Sequence, residues 1–276
     1  MSKAINDKYF TKPSVVIDCI KKIDLSSYDY ILEPSAGCGS FLSRLPKEKS
    51  KGIDIQPDIP NVIKLDFYSI GKVIDLLNLK TEDGKKYLSI GNPPFGKMST
   101  MAIDFFNGCA LFSDTIAFIV PRTFRKTSVI NKLDENFHLR EEHLLAEDSF
   151  LILDPSQEQL TRSYDVPCVF QIWDKATEPR KTIETLVKCE EFEFVKNRKL
   201  ANFAVRRVGV KAGNTYDITD KISSESHYFI KQKENNVRDT IDAIVWDYNS
   251  PKYDVAGNPS ISKDELISQY KKHKKT

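Results

Sequence analysis

The chain has 276 residues, of which 40% are hydrophobic and 29% charged, and its formal net charge is +2. No apolar run approaches the ~20 residues of a membrane span, and the first residues, MSKAINDKYF, lack the apolar core of a signal peptide. The five cysteines are scattered without a CxxC pair, so neither a disulfide framework nor a zinc site is indicated. We therefore expect an intracellular protein, cytoplasmic or nuclear, with no membrane partner and no metal.

Helical and strand patterns alternate from about residue 13 to residue 175. In chain order the predicted elements are a helix at 14–23, a strand at 28–32, a helix at 39–45, strands at 51–55 and 61–67, a helix at 69–79, a strand at 86–92, a helix at 100–112, a strand at 115–120, a helix at 128–137, and strands at 144–153 and 166–174. This alternation predicts an α/β fold, a doubly wound, mostly parallel sheet covered on both faces. The last two strands lack a helix between them, so we expect a terminal antiparallel strand pair at the sheet edge.

The pattern changes after about residue 177. Short strand-like runs at 192–195, 203–210 and 227–231 are followed by predicted helices at 235–248 and 261–272 and by the basic tail KKHKKT. We expect a domain at 1–178 and a small β-rich and helical C-terminal lobe at 179–276.

Three successive predicted strands end in residues that suit a nucleoside ligand. The loop EPSAGCGSF, Glu33 to Phe41, turns tightly on two glycines, which let backbone approach a ligand closely. It lacks the third glycine of a pyrophosphate-binding loop. Asp54 ends the next strand, where an acidic residue holds ribose hydroxyls in nucleotide-binding sheets. Asp66 and Phe67 end the third, and an acceptor beside an aromatic ring suits the amino group and face of an adenine.

The fourth of these strands ends in the tetrapeptide NPPF, Asn92 to Phe95. With this motif, residues 8 to 175 resemble a class I S-adenosylmethionine-dependent methyltransferase of the amino-methylating type. The motif order is similar to that of adenine-N6 methyltransferases of nucleic acids. The resemblance implies a Rossmann-like sheet and transfer of a methyl group from S-adenosylmethionine to the N6 amine of adenine in DNA or RNA.

The resemblance also implies which residues contact the cofactor. The segment Tyr9-Phe10-Thr11 with Pro13 is similar to the one that closes over the methionine part, although here Lys12 separates Thr11 from Pro13. The full set of expected cofactor contacts is Tyr9, Thr11, Glu33, Pro34, Ser35, Ala36, Gly37, Gly39, Phe41, Asp54, Ile55, Asp66, Phe67 and Asn92.

The NPPF motif is the expected catalytic site. The Asn92 side-chain oxygen and the Pro93 carbonyl would accept the hydrogens of the target amine and localise its lone pair. Pro93 and Pro94 fix φ, which aims that carbonyl in advance. Phe95 supplies a flat face on which the target base stacks. Carbon methylation is rejected because no cysteine nucleophile follows a proline at this strand end.

Basic residues on two parts of the chain are the expected nucleic-acid contacts. Lys97, Arg122 and Arg125 flank the predicted pocket mouth and suit phosphates. In the lobe, Arg206 and Arg207 lie near aromatic residues, as in surfaces that bind single strands. These neighbours are Phe203, Tyr216, Tyr228 and Phe229, with Lys211 as a further cation.

Two alternatives stay open. The same chemistry suits guanine N2 of RNA or a glutamine amide of a protein, since each presents a planar NH2 group. The second alternative is a catalytically inactive partner subunit with this fold, although intact Asn92 and Asp54 argue against it. The phenylalanine at 95 and the basic lobe favour nucleic acid.

Overall fold

A seven-stranded sheet organises the first unit of the computed structural model, which describes residues 9–79, 84–154, 159–162, 166–255 and 257–274. Its strands are β2 (Tyr30–Glu33), β3 (Ser50–Asp54), β4 (Ile63–Lys64), β5 (Tyr87–Gly91), β6 (Thr115–Pro121), β7 (Phe137–Leu144) and β10 (Cys168–Lys175). A separate three-stranded sheet contains β1 (Phe10–Thr11), β8 (Phe150–Asp154) and β9 (Gln159–Arg162). The helices are α1 (Pro13–Ile20), α2 (Ile70–Leu77), α3 (Thr100–Ala110) and α4 (Thr127–Ile130).

The strand order of the large sheet is β4-β3-β2-β5-β6-β10-β7. The first five of these run parallel to one another, and β10 is antiparallel to both of its neighbours. The chain builds outward from β2 to β4 in one direction and then from β5 to β10 in the other. The order therefore reverses between β2 and β5, which is where open α/β sheets bind ligands.

Both faces of this sheet are buried, which confirms the predicted α/β fold with a mostly parallel, doubly wound sheet. In β6, Ile116, Phe118 and Val120 enter the apolar cluster that contains α2 and α3 residues. The intervening Ala117 and Ile119 enter the cluster on the other face, with residues of α1. Successive side chains of a strand point to opposite faces, so a strand without polar positions requires cover on both.

The terminal antiparallel pair exists, but one of its predicted strands is wrong. The partner of β10 is β7, whose sequence FHLREEHL shows no apolar alternation because it lies exposed at the sheet edge. The predicted strand at 144–153 instead contributes β8, which leaves the large sheet and pairs with β1 and β9.

Several other predicted elements are shorter than expected. Residues 39–45 form only a 3-10 turn, Leu42–Arg44, and the Leu42 N–H at its start donates to the Glu33 carboxylate. The strand at 61–67 is reduced to β4, since Asp66 turns the chain by accepting from the Tyr68 N–H at 3.0 Å. The helix at 128–137 is only α4, and that at 235–248 is only α5 (Val237–Asp242).

The chain divides into two compact units, Met1–Phe124 with Ser128–Thr182, and Arg125–Thr127 with Ile183–Thr276. The domain division expected after residue 178 lies just before Ile183. The second unit holds β11 (Phe192–Val195), β12 (Phe203–Arg206), β13 (Thr215–Tyr216) and β14 (His227–Gln232), followed by α5 and α6 (Lys263–Lys274). Its antiparallel sheet has the order β11-β14-β12-β13. Its apolar core includes Phe192, Phe203, Val205, Ile230, Val237, Ile241, Leu266, Ile267 and Tyr270.

None of the described helices is long and apolar enough to cross a membrane.

Candidate functional site

The candidate site lies at the carboxyl edge of the parallel strands, on both sides of the point where strand order reverses. Glu33 ends β2, Asp54 ends β3, and Asn92 directly follows β5. Because these strands are neighbours and parallel, their ends meet at one edge of the sheet. Three residues that are distant in sequence are therefore brought together.

The loop after β2 is held in place by Asp54. The Gly37 N–H donates to Asp54 Oδ2 at 2.8 Å, and the Gln56 N–H donates to Oδ1 at 2.8 Å. Gly37 and Gly39 adopt φ of +47° and +75°, a left-handed conformation that side chains disfavour. A carboxylate has about four acceptor positions, so Asp54 retains room for two further donors. Vicinal hydroxyls of a ribose fit this requirement.

Glu33, at the start of the loop, is buried and hydrogen-bonds to the backbone at the end of the loop. Its Oε2 accepts from the Leu42 N–H at 2.8 Å. Burial raises the pKa of Glu33 well above its ordinary value, although backbone N–H groups of Leu42 and Phe41 act in the opposite direction. The side chain therefore positions the loop.

Asn92 is oriented by two residues from other segments. Its Nδ2 donates to Thr11 Oγ1 at 3.2 Å, and its backbone carbonyl accepts from Ser35 Oγ at 3.2 Å. The Asn92 Oδ1 atom is buried and has no hydrogen-bond partner among the residues that the structure describes. A buried acceptor without a donor costs about 1–3 kcal/mol. A ligand that brings an N–H group to Oδ1 would recover this energy.

The prolines and the phenylalanine of the motif follow directly. Within the described parts of the chain, no group donates to the Pro93 carbonyl oxygen. Phe95 is half-buried and packs against the apolar clusters on both faces of the sheet. Beyond it, Met98 and Ser99 adopt φ of +55° and +62°, which is strained for residues other than glycine. Asn92 Oδ1, the Pro93 carbonyl oxygen and the Phe95 ring thus occur within four residues, and neither oxygen has a donor among the described residues.

The N-terminal segment reaches the site through the small sheet. In β1, Phe10 pairs with Leu151 and Thr11 with Phe150. The Tyr9 ring packs edge-on against that of Phe150 with centroids 6.3 Å apart. The Thr11 side chain lies against Asn92, whose Nδ2 donates to Thr11 Oγ1. Sequence reasoning had expected Thr11 near the cofactor but had missed this contact, because 81 positions separate the two residues.

The remaining expected cofactor residues are divided between the loop, the interior and the surface. The Ala36 N–H donates to the Ile53 carbonyl at 2.9 Å, which fastens the loop to β3. Ile55 is 65% exposed directly after Asp54. Pro34 lies in the loop and is buried. Phe41 is 1% exposed and belongs to the core.

The expected adenine contact at Phe67 differs from what the structure shows. Phe67 is buried and stacks on Phe105 of α3, with ring centroids 4.3 Å apart. Its neighbour Asp66 accepts a hydrogen bond from the Tyr68 N–H through one carboxylate oxygen. The Phe67 ring therefore packs in the core, and the exposed Ile55 is the apolar side chain beside the Asp54 carboxylate.

The three cations expected at a pocket mouth do not share one environment. Arg122 is 1% exposed and lies in the interior, and its expected phosphate contact stays a prediction. Arg125 belongs to the second unit, where its Nη1 is 2.7 Å from Asp254 Oδ1. Lys97 is exposed and lies two positions after the NPPF motif.

In the second unit, the two expected arginines differ in their contacts. Arg206 Nε donates to the Val208 carbonyl at 3.0 Å. The Arg207 guanidinium lies over the Tyr228 ring, 5.3 Å from its centroid. Of the other residues named there, Phe203 and Phe229 are buried, and the Tyr216 ring packs edge-on against His227.

The described residues contain no group of three or more His, Cys, Asp or Glu side chains placed to hold a metal ion. All five cysteines are free thiols, and Cys38 is half-buried in the glycine loop.

Comparison with solved structures finds methyltransferases at low similarity. A proposed RNA methyltransferase from Pyrococcus horikoshii is 17% identical with a TM-score of 0.39, over 64% of this chain and 90% of that one. The modification subunit of a proposed type I restriction enzyme from Vibrio vulnificus is 15% identical with a TM-score of 0.44, over 95% of this chain and 60% of that one. A 23S rRNA methyltransferase is 13% identical with a TM-score of 0.39, over 64% of this chain and 72% of that one.

No protein-family model matches the chain, and no curated protein matches its sequence.

Proposed function

We propose that this chain is an S-adenosylmethionine-dependent methyltransferase that methylates the N6 amine of adenine in a nucleic acid. The observation that carries the proposal is Asn92 Oδ1, a buried acceptor with no donor among the described residues, at the reversal point of a doubly wound sheet. The resemblance of the loop and of the NPPF motif to amino-methylating enzymes supports the same reading.

The residues around Asp54 fit the cofactor. Asp54 has acceptor positions for two ribose hydroxyls, and Gly37 allows close approach of the loop backbone. Ile55 offers an apolar surface beside that carboxylate. When bound, S-adenosylmethionine supplies an electrophilic methyl group on a sulfonium. Phe67 is not part of this fit, since it is in the core.

The chemistry at the acceptor amine follows from two oxygen atoms. The lone pair of an exocyclic amine is delocalised into the purine ring, which makes the amine a poor nucleophile. Asn92 Oδ1 and the Pro93 carbonyl would accept its two N–H groups and draw the nitrogen toward a tetrahedral shape. The same oxygens stabilise positive charge that develops on the nitrogen.

The rest of the motif keeps these atoms in place. The pyrrolidine rings of Pro93 and Pro94 fix φ, so little conformational entropy is lost when the base binds. Thr11 holds the Asn92 amide by accepting from Nδ2. Phe95 would stack on the base, a contact worth about 1–3 kcal/mol.

A labelled methyl group tests the proposal. The protein is incubated with methyl-labelled S-adenosylmethionine and separate pools of DNA, ribosomal RNA, messenger RNA and protein, and the products are digested to nucleosides or amino acids. We expect label in N6-methyladenine. Label in N2-methylguanosine or methylglutamine would assign the same chemistry to a different acceptor. Isothermal titration with S-adenosylmethionine tests the alternative of an inactive partner subunit, because a subunit that binds no cofactor would give no heat.

Asn92→Ala tests the role of the amide. Removal of a group that stabilises transition-state charge costs about 10²–10³ in rate, so methyl transfer should fall by at least about a hundredfold. Affinity for S-adenosylmethionine, measured by titration, should stay within a few-fold because Oδ1 faces the acceptor. Asn61→Ala, at an exposed asparagine of the same unit, is the matched control. Near-normal turnover of Asn92→Ala would refute the assignment.

A further inference from the structure

Two cations of the second unit lie over a pair of aromatic rings and form what we call the cation–aromatic cluster. Its members are Arg207, Tyr228, Phe194 and Lys263. Phe194 lies on β11 and Tyr228 on β14, which are paired strands. Arg207 directly follows β12, on the other side of β14, and Lys263 is the first residue of α6. Sequence reasoning had not identified Phe194 or Lys263.

The rings of the cluster are fixed by packing. The Phe194 and Tyr228 rings meet edge-on with centroids 5.3 Å apart. Phe194 also packs edge-on against the buried Phe192. The Tyr228 hydroxyl donates to the Ile261 carbonyl at 3.0 Å. The two rings are therefore a firm platform anchored to the core of the unit.

Both cations contact this platform. The Arg207 guanidinium lies 5.3 Å from the Tyr228 ring centroid. Lys263 Nζ lies 4.8 Å from the Phe194 centroid and 5.9 Å from that of Tyr228. Contacts of this kind orient a cation without neutralising it. The two charges are consequently held around one ring.

No described carboxylate pairs with either cation. Arg207 Nε is buried and has no hydrogen-bond partner within the described residues. The acidic side chain near Tyr228 is Glu265, and it is already engaged. Its Oε1 accepts from Lys126 Nζ at 2.7 Å, and its Oε2 accepts from the Ser262 N–H at 2.7 Å. Within the described residues both positive charges thus lack a carboxylate partner, which favours an anion from outside the chain.

We propose that Arg207 and Lys263 together bind a backbone phosphate of a nucleic-acid strand. This inference rests on the proposed function, which makes nucleic acid the substrate. A phosphate has several acceptor oxygens and suits the planar donors of arginine together with the point charge of lysine. The Tyr228 face is occupied by Arg207, so the cluster binds backbone and carries no base recognition of its own.

Fluorescence anisotropy of the full chain with a labelled single-stranded oligonucleotide tests this assignment. Two phosphate contacts on a single strand contribute a salt slope of about 0.7 each. The variant Arg207→Ala/Lys263→Ala should therefore bind roughly 25-fold more weakly at 0.1 M salt, with a difference that shrinks as salt approaches 1 M. Its plot of log affinity against log salt should be shallower by about 1.4.

A matched control removes two cations that already have carboxylate partners in the same unit. Arg198→Ala/Lys231→Ala lowers the charge equally, but Arg198 pairs with Asp220 and Lys231 with Glu193. We expect this variant to stay within a few-fold of the wild type. Equal losses in the two double variants would overturn the proposal, because a general charge effect would then explain both. Lys263→Ala alone, at an exposed position, should give part of the loss and guards against misfolding at Arg207.

Competitors identify the ligand. Unlabelled oligonucleotide should displace the probe from the wild type. Displacement by inorganic phosphate at equal phosphate concentration, or by polyglutamate in preference to nucleic acid, would overturn the assignment to a nucleic-acid backbone. Binding is measured without methyl transfer, so the assay reports affinity apart from catalysis. If oligonucleotide binding depends on Arg207 and Lys263 but no methyl transfer is detected, the proposed function is refuted and this inference stands.

Discussion

At the scale of single residues, the position of Asn92 Oδ1 depends on Thr11. The amide can rotate about its last torsion, and the Thr11 hydroxyl is the group that accepts from Nδ2. Thr11 is itself buried and fixed by the pairing of β1 with β8. The N-terminal segment thus contacts the proposed catalytic motif through this hydrogen bond.

Thr11→Val should lower the rate of methyl transfer by about fivefold. Valine keeps the branched shape but cannot accept from Nδ2, and a net hydrogen bond is worth about 1 kcal/mol. The rate is measured with saturating substrate, and S-adenosylmethionine affinity is measured separately. Thr240→Val is a suitable control, because that hydroxyl donates locally to the Asn236 carbonyl at 2.9 Å. A loss of cofactor affinity with an unchanged rate would instead make Thr11 a cofactor contact.

Gly39→Ala should lower the free energy of unfolding by about 1–2 kcal/mol, the cost of a left-handed conformation for a residue with Cβ. Gly39 has φ of +75°, and an added Cβ would collide with Ile59 Cδ1. Gly71 lies in α2 with nothing within 4 Å of an added Cβ. Gly71→Ala should therefore raise stability, by about 0.5–1 kcal/mol. Thermal unfolding, monitored by circular dichroism, compares the stability of the two variants. Equal changes in the free energy of unfolding would contradict this account.

At the scale of elements, the end of β2 and the turn Leu42–Arg44 are joined through one carboxylate. Glu33 is buried, and its Oε2 accepts from the Leu42 N–H. The carboxylate thereby satisfies a backbone N–H at the start of the turn and ties the end of the loop to β2.

Glu33→Gln should become more stable relative to the wild type as pH rises. Burial raises the pKa of Glu33 in the folded chain, so the unfolded chain releases this proton at a lower pH. Between the two pKa values the unfolded state holds fewer protons, and stability is lost with increasing pH. Glutamine can accept from Leu42 but has no proton to lose.

Urea unfolding of both proteins from pH 4.5 upward measures this effect. The difference between the two stability curves isolates Glu33, because the other titrating groups are common to both. Parallel curves would show that Glu33 does not release its proton at an elevated pH in the folded chain.

At the scale of the whole molecule, the two units have separate apolar cores. The first unit has one apolar cluster on each face of its sheet, and the second has a core built from its own sheet, α5 and α6. The candidate site at Asn92 and the cation–aromatic cluster belong to different units. A substitution that disrupts one core should therefore affect cofactor binding and oligonucleotide binding differently.

Leu266→Ala should destabilise the second unit by about 2–5 kcal/mol, since this side chain is 0% exposed and its removal leaves a cavity. Affinity for S-adenosylmethionine should stay within a few-fold, because the expected contacts are all in the first unit. Leu200→Ala, at a position 57% exposed in the same unit, should change stability by less than about 0.5 kcal/mol. Thermal unfolding and cofactor titration are the measurements, and a parallel fall in both would contradict separate cores.

Local patterns were sufficient to predict the central strands. The apolar run at 115–120 became β6, and Asn92 follows β5 as its proline-terminated strand pattern predicted. These features depend on neighbours in sequence, since apolar periodicity and proline geometry act over a few residues. The glycine turn after β2 was predictable for the same reason.

The sequence by itself determined the parallel core, the turn glycines and the position of NPPF at a strand end. Only the tertiary structure decided that Thr11 orients Asn92, that Phe67 packs on Phe105, that Arg122 is buried, and that β7 is the edge strand. Each of these depends on contacts between segments far apart in the chain. Such contacts are set by how whole elements pack, and no periodicity of a few residues records them.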